Sequence, residues 1–538
     1  MSTSVVSIRQ GPDCHGAQRR TGWATWLGLA AAIGSGCGPA SAQPGSAETE
    51  AVDEVDRALE TAPSPVELLT GGMQAYIDAV ASEPRRWEGQ RVPWPTAWAR
   101  PQGVAVRTST EWDVTFHQPH AAIDDDLASR WVDAFDTAYA LLARDGWPLA
   151  PADGGRGGGD GLDVYVVPEI EGDEAADPAL EPEPGARSRS PRTTDVRMDV
   201  PLFPAALDGA VVHVVLDDDV PADRALPCAI QLAAEAGLFA ADPAEAASLR
   251  HATGAWLAWF YSGIAGCDED ALVRQQRASY RALIGPDPRD AEGGAIFLAA
   301  IAQRHDAHGT TFLRDVWQLA RQRTRDDGDL RGEPDVLRVL GQATDLAHDP
   351  IDRALEALAV ARWFVGAAPR REGCEVALLR TLPEGATVPE LGTTSWTRLP
   401  RSLRLGPESI EPWGSAYARV DVREAPAGSV LRVWLDGETG TEWSLVAVRL
   451  DDQGRERGRT RAPRTRRTRS YVPVELSAGT TEVLLVVTSI PDDDDPRERE
   501  VDTSRDGEIA AWLHRTGLDA DTLLPSGRAF RLLVDRGP

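Results

Sequence analysis

With 538 residues the chain is long enough for two or three domains, each with its own core. Its formal charge of −28 excludes the basic footprint that nucleic-acid binding needs. Beyond the N-terminal apolar run, no segment approaches the eighteen or so consecutive apolar residues of a membrane-spanning helix.

The N-terminus reads as an export signal, over 1–42. Arg9, Arg19 and Arg20 precede an apolar run at 23–33 that is too short for a permanent span, and Gly34, Ser35 and Gly36 lead into Cys37. Two processing routes stay open. Cys37 behind small residues fits a lipoprotein box, with Gly34 where Leu, Val or Ile is usual; acylation there would give a lipid anchor. Cleavage after Ala40-Ser41-Ala42 would instead release the protein. The expected location is the cell envelope or the extracellular space, with membrane contact only through lipid on Cys37.

Residues 43–100 form a tether rich in Ala, Ser, Glu and Pro, then a helical stretch at 66–80 and a Trp/Pro segment containing Trp94, Pro95 and Trp98. Alternation over 112–117 predicts a strand with Trp112, Val114 and Phe116 on one face. The 127–144 segment is an amphipathic helix that places Leu127, Trp131, Phe135, Tyr139 and Leu142 on one side, and Gly146-Trp147-Pro148 ends it. A Gly/Asp loop at 153–160 runs into a strand at 162–167. The acidic, Pro-rich 168–195 stretch reads as a disordered insertion, 211–216 as a buried strand, and 224–366 as mostly helical. From 375 to 538, alternating strands such as those carrying Leu431, Val433 and Leu435, or spanning 482–487, are separated by turns and predict a β-sandwich. The fold class is α+β.

Cys14 leaves with the signal and Cys37 is taken by the lipid route, which leaves Cys228, Cys267 and Cys374. Three cysteines in an oxidising compartment permit one disulfide and one thiol. Cys267 with Cys374 is the expected pair, because Cys228 falls in an apolar helical pattern. No CxxC is present, which excludes a zinc ribbon or a thioredoxin-like motif.

Several constellations carry residue types suited to chemistry. Asp153, Asp160 and Asp163 around the glycines offer oxygen ligands for calcium but lack the spacing of an EF-hand, so a plain turn-rich loop is favoured. His305 with His308, and His117 with His120, read as solvated pairs. The 492–495 aspartates are a solvated run, and the Arg-rich 455–469 stretch reads as an exposed loop between strands. The 226–235 helix, with Cys228, Ala229, Leu232 and Glu235, is followed by a second helix, with His251, Trp256 and Trp259.

The Gly146-Trp147-Pro148 turn, the Gly/Asp loop, the 162–167 strand, these two helices and the Pro412-Trp413-Gly414-Ser415-Ala416-Tyr417 segment together resemble a bacterial family of secreted gluzincin-type zinc metalloproteases with a C-terminal β-domain. The likeness covers about 105–535, and it lies in the order of several motifs. It implies a zincin-type domain with a small sheet and a helical subdomain over 101–368, followed by the β-sandwich. In such a protein a HExxH helix supplies two zinc-binding imidazoles and a Glu that polarises water, and a second helix supplies a Glu as third ligand.

Matched position by position, the ligands are replaced. Cys228 stands for the first zinc His, Ala229 for the catalytic Glu, Leu232 for the second His, and His251 for the third ligand, with eighteen residues between Leu232 and His251. A zinc-bound hydroxide cannot be assembled from those side chains. The resemblance therefore implies zinc for the family and its loss here, with no cofactor and no catalytic residue. The expected function is a non-catalytic, exported binder of peptide, protein or glycan. Two alternatives are a hydrolase of altered chemistry using Cys228 and His251, with Glu235 two turns from Cys228 on the same face, and a structural or adhesive protein acting through the β-sandwich.

Overall fold

The computed structural model describes residues 91–92, 97–119, 124–167, 194–201, 209–217, 220–268, 270–284, 291–306, 309–321, 330–331, 336–365, 376–383, 385–404, 409–439, 441–463, 469–490 and 528–537. The signal segment with Cys37, the tether, the 66–80 helix, His120, His308, Cys374 and the 492–495 run lie outside these residues. The described part mixes helices and sheets, as the α+β expectation required.

A short strand β1 (Arg91–Val92) pairs with a later one, β7 (Leu330–Arg331). The first large sheet has the order β2 (Val104–Thr108), β3 (Thr115–Gln118), β4 (Asp163–Val167), β6 (Ala210–Asp217), β5 (Asp195–Pro201). Strands β3, β4 and β6 are parallel, while β2 and β5 run antiparallel at the two edges. All three predicted strands are thus central. The edge strand β5 begins at Asp195, the last residue of the stretch read as a disordered insertion. A second correction concerns Trp112, which does not lie on a strand. Asp113 adopts the left-handed conformation (φ +55°), the strand starts only at Thr115, and Trp112 packs on Tyr139 with ring centroids 5.7 Å apart.

Period-two alternation gives the sheet two distinct faces. Phe116, Val164, Val166, Val212, Val214 and Leu216 enter the main core against α1 (Asp125–Arg144) and α2 (Ala225–Ala241). Asp124 caps α1, its carboxylate accepting the amides of Asp126 and Leu127 at 3.0 Å. Gly146, at φ +75°, turns the chain away after that helix. Trp147 then fills the core, its indole donating to Thr310 Oγ1 at 3.0 Å. Helix α2 is buried along nearly its whole length, with Gln231 and Glu235 as polar positions one turn apart. Such a helix belongs inside a domain.

Helix α3 (Ala247–Ser262) packs along α2 and ends on Gly263 at φ +81°. Helices α4 (Ala271–Arg277), α5 (Ala295–His305), α6 (Thr311–Ala320), α7 (Val336–Leu346) and α8 (Ile351–Trp363) complete the helical region. Leu378, Leu379 and Leu382 still pack into its core.

Beyond lie two further sheets. One is ordered β13 (Glu456–Arg461), β12 (Glu442–Leu450), β15 (Glu482–Ile490), β10 (Ser415–Asp421), β8 (Glu390–Ser395). The other is ordered β14 (Arg469–Glu475), β11 (Val430–Gly437), β16 (Phe530–Arg536), β9 (Arg401–Arg404). Leu431, Val433 and Leu435 share one core with Leu445, Val483, Leu485 and Val487 of the five-stranded sheet. The opposite face of that sheet, through Tyr417, Val446 and Leu484, packs on Ala359 and Val360 of α8. The Pro412–Tyr417 segment joins the two regions: Trp413 sits in the helical core 5.1 Å from Phe297, and the Tyr417 hydroxyl donates to the Ala359 carbonyl at 2.7 Å.

Candidate functional site

The two helices of the predicted site do lie side by side, and small residues allow it. A Cβ at Gly254 would stand 2.8 Å from Glu235 Cγ and 2.9 Å from the Gln231 carbonyl oxygen. Across this contact His251 Nδ1 approaches Glu235 Oε2 at 2.8 Å. Glu235 Oε1 accepts from Gln231 Nε2 at 2.7 Å, and the same amide donates to Glu292 Oε1 at 2.9 Å. Gln231 Oε1 accepts the Cys267 amide at 2.8 Å. The partner of His251 is therefore one turn beyond Leu232.

Cys228 is fully buried and bonded to Cys267, with Cα atoms 4.3 Å apart. This overturns the expected Cys267–Cys374 pair. The helical pattern rightly put Cys228 inside, and inside is where the chain after α3 returns. Gly263 and Gly266, both at positive φ, fold that loop back over α2, and a side chain at Gly266 would collide with Gln231 Oε1. Bonded in this way, Cys228 offers no thiolate to a substrate or a metal, so the altered-chemistry reading loses its nucleophile.

Ala229 and Leu232 belong to the main core. The positions matched to a gluzincin zinc site therefore do not fit the ion: a disulfide sulfur, a methyl and an isobutyl group supply no strong donor, and His251 alone remains. A cavity of about 130 Å³ lies at the far end of α2, lined by Gly146, Pro148, Leu238, Ala241, Trp317 and neighbours, and includes none of these residues.

On the other face of the first sheet is a second polar cluster. Arg100 meets three carboxylates: Asp153 at 2.7 Å, Asp199 at 2.6 Å, and Asp163. His117 Nε2 contacts Asp163 Oδ1 at 2.7 Å, and His213 Nδ1 contacts Asp199 Oδ1 at 2.8 Å. The His117 ring stacks on Tyr165 at 4.3 Å. A register shift between Met198 and Val200 aims Asp199 into this group. Burial pushes the Asp199 carboxyl up, yet hydrogen bonds from His213 and Arg100 outweigh it and hold it below the ordinary value. Asp153 is lowered on the same balance, with Arg100 as its main stabilising partner. Burial raises the Tyr165 hydroxyl.

The structure thus joins two of the three loop aspartates, Asp153 and Asp163, while Asp160 stays exposed. The cation between them is a guanidinium. Arg100 was not singled out by the sequence; the available signal was charge on inward strand positions, which demands a counter-ion.

The remaining candidates are structural. His305 stacks on Phe312 at 4.7 Å, and burial lowers its pKa. In the Arg-rich stretch, Arg455, Arg459, Arg461 and Arg469 meet Asp451, Glu456, Glu356 and Asp436, and 456–461 is itself a strand.

Compared with known proteins, the chain matches no family model and no curated protein.

Proposed function

We propose that this chain is a non-catalytic, metalloprotease-like exported protein whose zincin-type frame and C-terminal β-sandwich bind peptide, protein or glycan. It acts at the cell envelope when lipid is attached to Cys37, or outside the cell when cleavage follows Ala42. The frame reading is supported by the sequence of elements: a small mixed sheet, the buried helix α2 leaving strand β6, α3 packed along it, and a helical subdomain beyond. The sandwich reading is supported by two sheets whose facing residues share one core.

The observation that carries the proposal is the burial of Ala229 and Leu232. Where hydrolysis needs a carboxylate base and an imidazole ligand, these residues contribute only core packing. The test is proteolysis of casein and of a peptide library by the purified chain, with and without added zinc. The proposal expects no chelator-sensitive cleavage, together with saturable binding of peptide or glycan. Turnover abolished by chelator would overturn it.

A second reading, action through the β region alone, has its own observation. Tyr471 and Leu533 are about 40% exposed on the outer face of the four-stranded sheet, and their register places them on either side of Trp434. Loss of ligand binding in a Tyr471→Ser, Leu533→Ser double variant would favour that reading. Unchanged binding would remove it.

A further inference from the structure

Close to the positions where the zinc motif is replaced, three elements bring other ligating side chains together. Asp195 opens the edge strand β5, Glu235 lies two turns beyond Cys228 on α2, and His251 is on α3. Each offers one ligand atom, and all three atoms lie within 4.8 Å of one another. We propose that Asp195, Glu235 and His251 form a binding site for a divalent transition metal, independent of Cys228, Ala229 and Leu232. The site goes beyond the function proposed above and supplies no base at position 229.

The geometry needs little rearrangement. Tetrahedral ligands about 2.1 Å from a zinc ion stand roughly 3.4 Å apart. His251 Nδ1 and Glu235 Oε2, now 2.8 Å apart, would separate by about 0.6 Å to admit the ion between them, and the Asp195 carboxylate would close in as the third ligand. The metal takes the place of the hydrogen between this pair, and the neutral imidazole that ligates through Nδ1 carries its proton on Nε2.

The Glu235 carboxylate is also held in place. Its second oxygen is fixed by Gln231, which is itself anchored by the Cys267 amide, and Gly254 leaves the room that carboxylate occupies. Outer hydrogen bonds of this kind orient metal ligands in proteins. Glu235 and His251 are buried, whereas Asp195 is half-buried, so the approach is from the side of the strand.

One imidazole and two carboxylates suit an ion of borderline softness such as zinc. Calcium asks for six to eight oxygens, and magnesium keeps most of its water. The neighbouring cation, Arg250, carries a charge that acts on Asp195 and Glu235, and a metal ion at the site would share those carboxylates with it. Its guanidinium lies over the Phe239 ring at 4.0 Å and donates to the Glu245 carbonyl.

The experiment is zinc titration of the metal-free full chain by calorimetry, with metal content measured after dialysis. The expected result is one zinc per chain at micromolar affinity or tighter. Glu235→Gln, His251→Gln and Asp195→Asn should each weaken binding by more than about 100-fold, beyond the loss typical of outer-shell changes. Asp163→Asn, in the Arg100 cluster, should leave binding intact. Circular dichroism checks that each variant folds. For any that does not, cobalt substitution of the unaltered chain gives an independent reading, with a four-coordinate visible spectrum and no thiolate charge-transfer band. Absence of zinc binding, its persistence in Glu235→Gln and His251→Gln, or a thiolate band would overturn the site and leave a hydrogen-bonded pair beside Arg250. Zinc binding without proteolysis leaves the proposed function standing; proteolysis would remove that function, not this site.

Discussion

The sulfur of Cys228 is bonded to that of Cys267, fastening the first turn of α2 to the loop that follows α3. The bond closes a loop of 39 residues. Loop-closure entropy for that length is worth about 4 kcal/mol. Reduction, or a Cys228→Ala/Cys267→Ala double variant, is therefore expected to lower stability by roughly 3–4 kcal/mol, read as a fall in the guanidinium unfolding midpoint. An unchanged midpoint would mean that the linkage does not constrain the unfolded chain.

Arg100 is the counter-ion for three buried carboxylates, and its removal should be severe. Arg100→Met leaves Asp153 without its cation and Asp163 and Asp199 with only His117 and His213 as partners, at an expected cost of about 3–5 kcal/mol near neutral pH. The pH dependence gives a second reading. Asp153 and Asp199 are lowered in the folded state, so their contribution is present above the unfolded carboxylate range and is lost as pH falls through the lower folded values. Without Arg100 more of the burial effect is left unopposed and both carboxyls rise, Asp153 further than Asp199, which keeps His213. The variant should then lose less stability than the parent between pH 5 and pH 3, and urea midpoints across that range decide the matter.

This cluster also marks where sequence reading reaches its limit. Helix α1 was legible because its apolar residues repeat at helical spacing, with Trp131, Phe135, Tyr139 and Leu142 on one stripe. Strand β11 was legible because the aliphatic residues Leu431, Val433 and Leu435 recur at every second position. Strand β5 was not, although Val196 and Met198 alternate too, because it abuts an acidic Pro-rich stretch and its Asp199 answers to Arg100, 99 residues away. The Cys228 position was read correctly as interior, but local pattern does not say which loop returns to meet it. Of the candidate site, the pairing of the two helices and the presence of Glu235 and His251 were legible. The convergence of Asp195 on them was not, since that depends on which strand takes the sheet edge.

Gly254 offers a direct probe of the contact between α2 and α3. A methyl group there would press on Glu235 Cγ and the Gln231 carbonyl at under 3 Å, both inside a packed interior. Gly254→Ala has to push the helices apart, and the expected cost is about 1–3 kcal/mol despite the better helix propensity of alanine. Thermal unfolding should fall accordingly. A rise in midpoint would show that the helices tolerate a wider spacing than this contact allows.

The seam between the helical and β regions can be tested at Tyr417. Its ring is fully buried, and its hydroxyl donates to the Ala359 carbonyl of α8. Tyr417→Phe removes that bond while keeping the ring, at an expected cost of about 1 kcal/mol. Burial pushes the Tyr417 hydroxyl up to about 12. A group raised in the folded state stabilises fully below its unfolded pKa, near 10 for tyrosine, and loses that contribution as pH climbs through the folded value. The parent should therefore lose stability between pH 10 and 12 more steeply than Tyr417→Phe, so that the gap between the two narrows at alkaline pH. Parallel curves over that range would mean that Tyr417 ionises as readily in the folded protein as in the unfolded chain, and that the ring is not sealed between α8 and the five-stranded sheet.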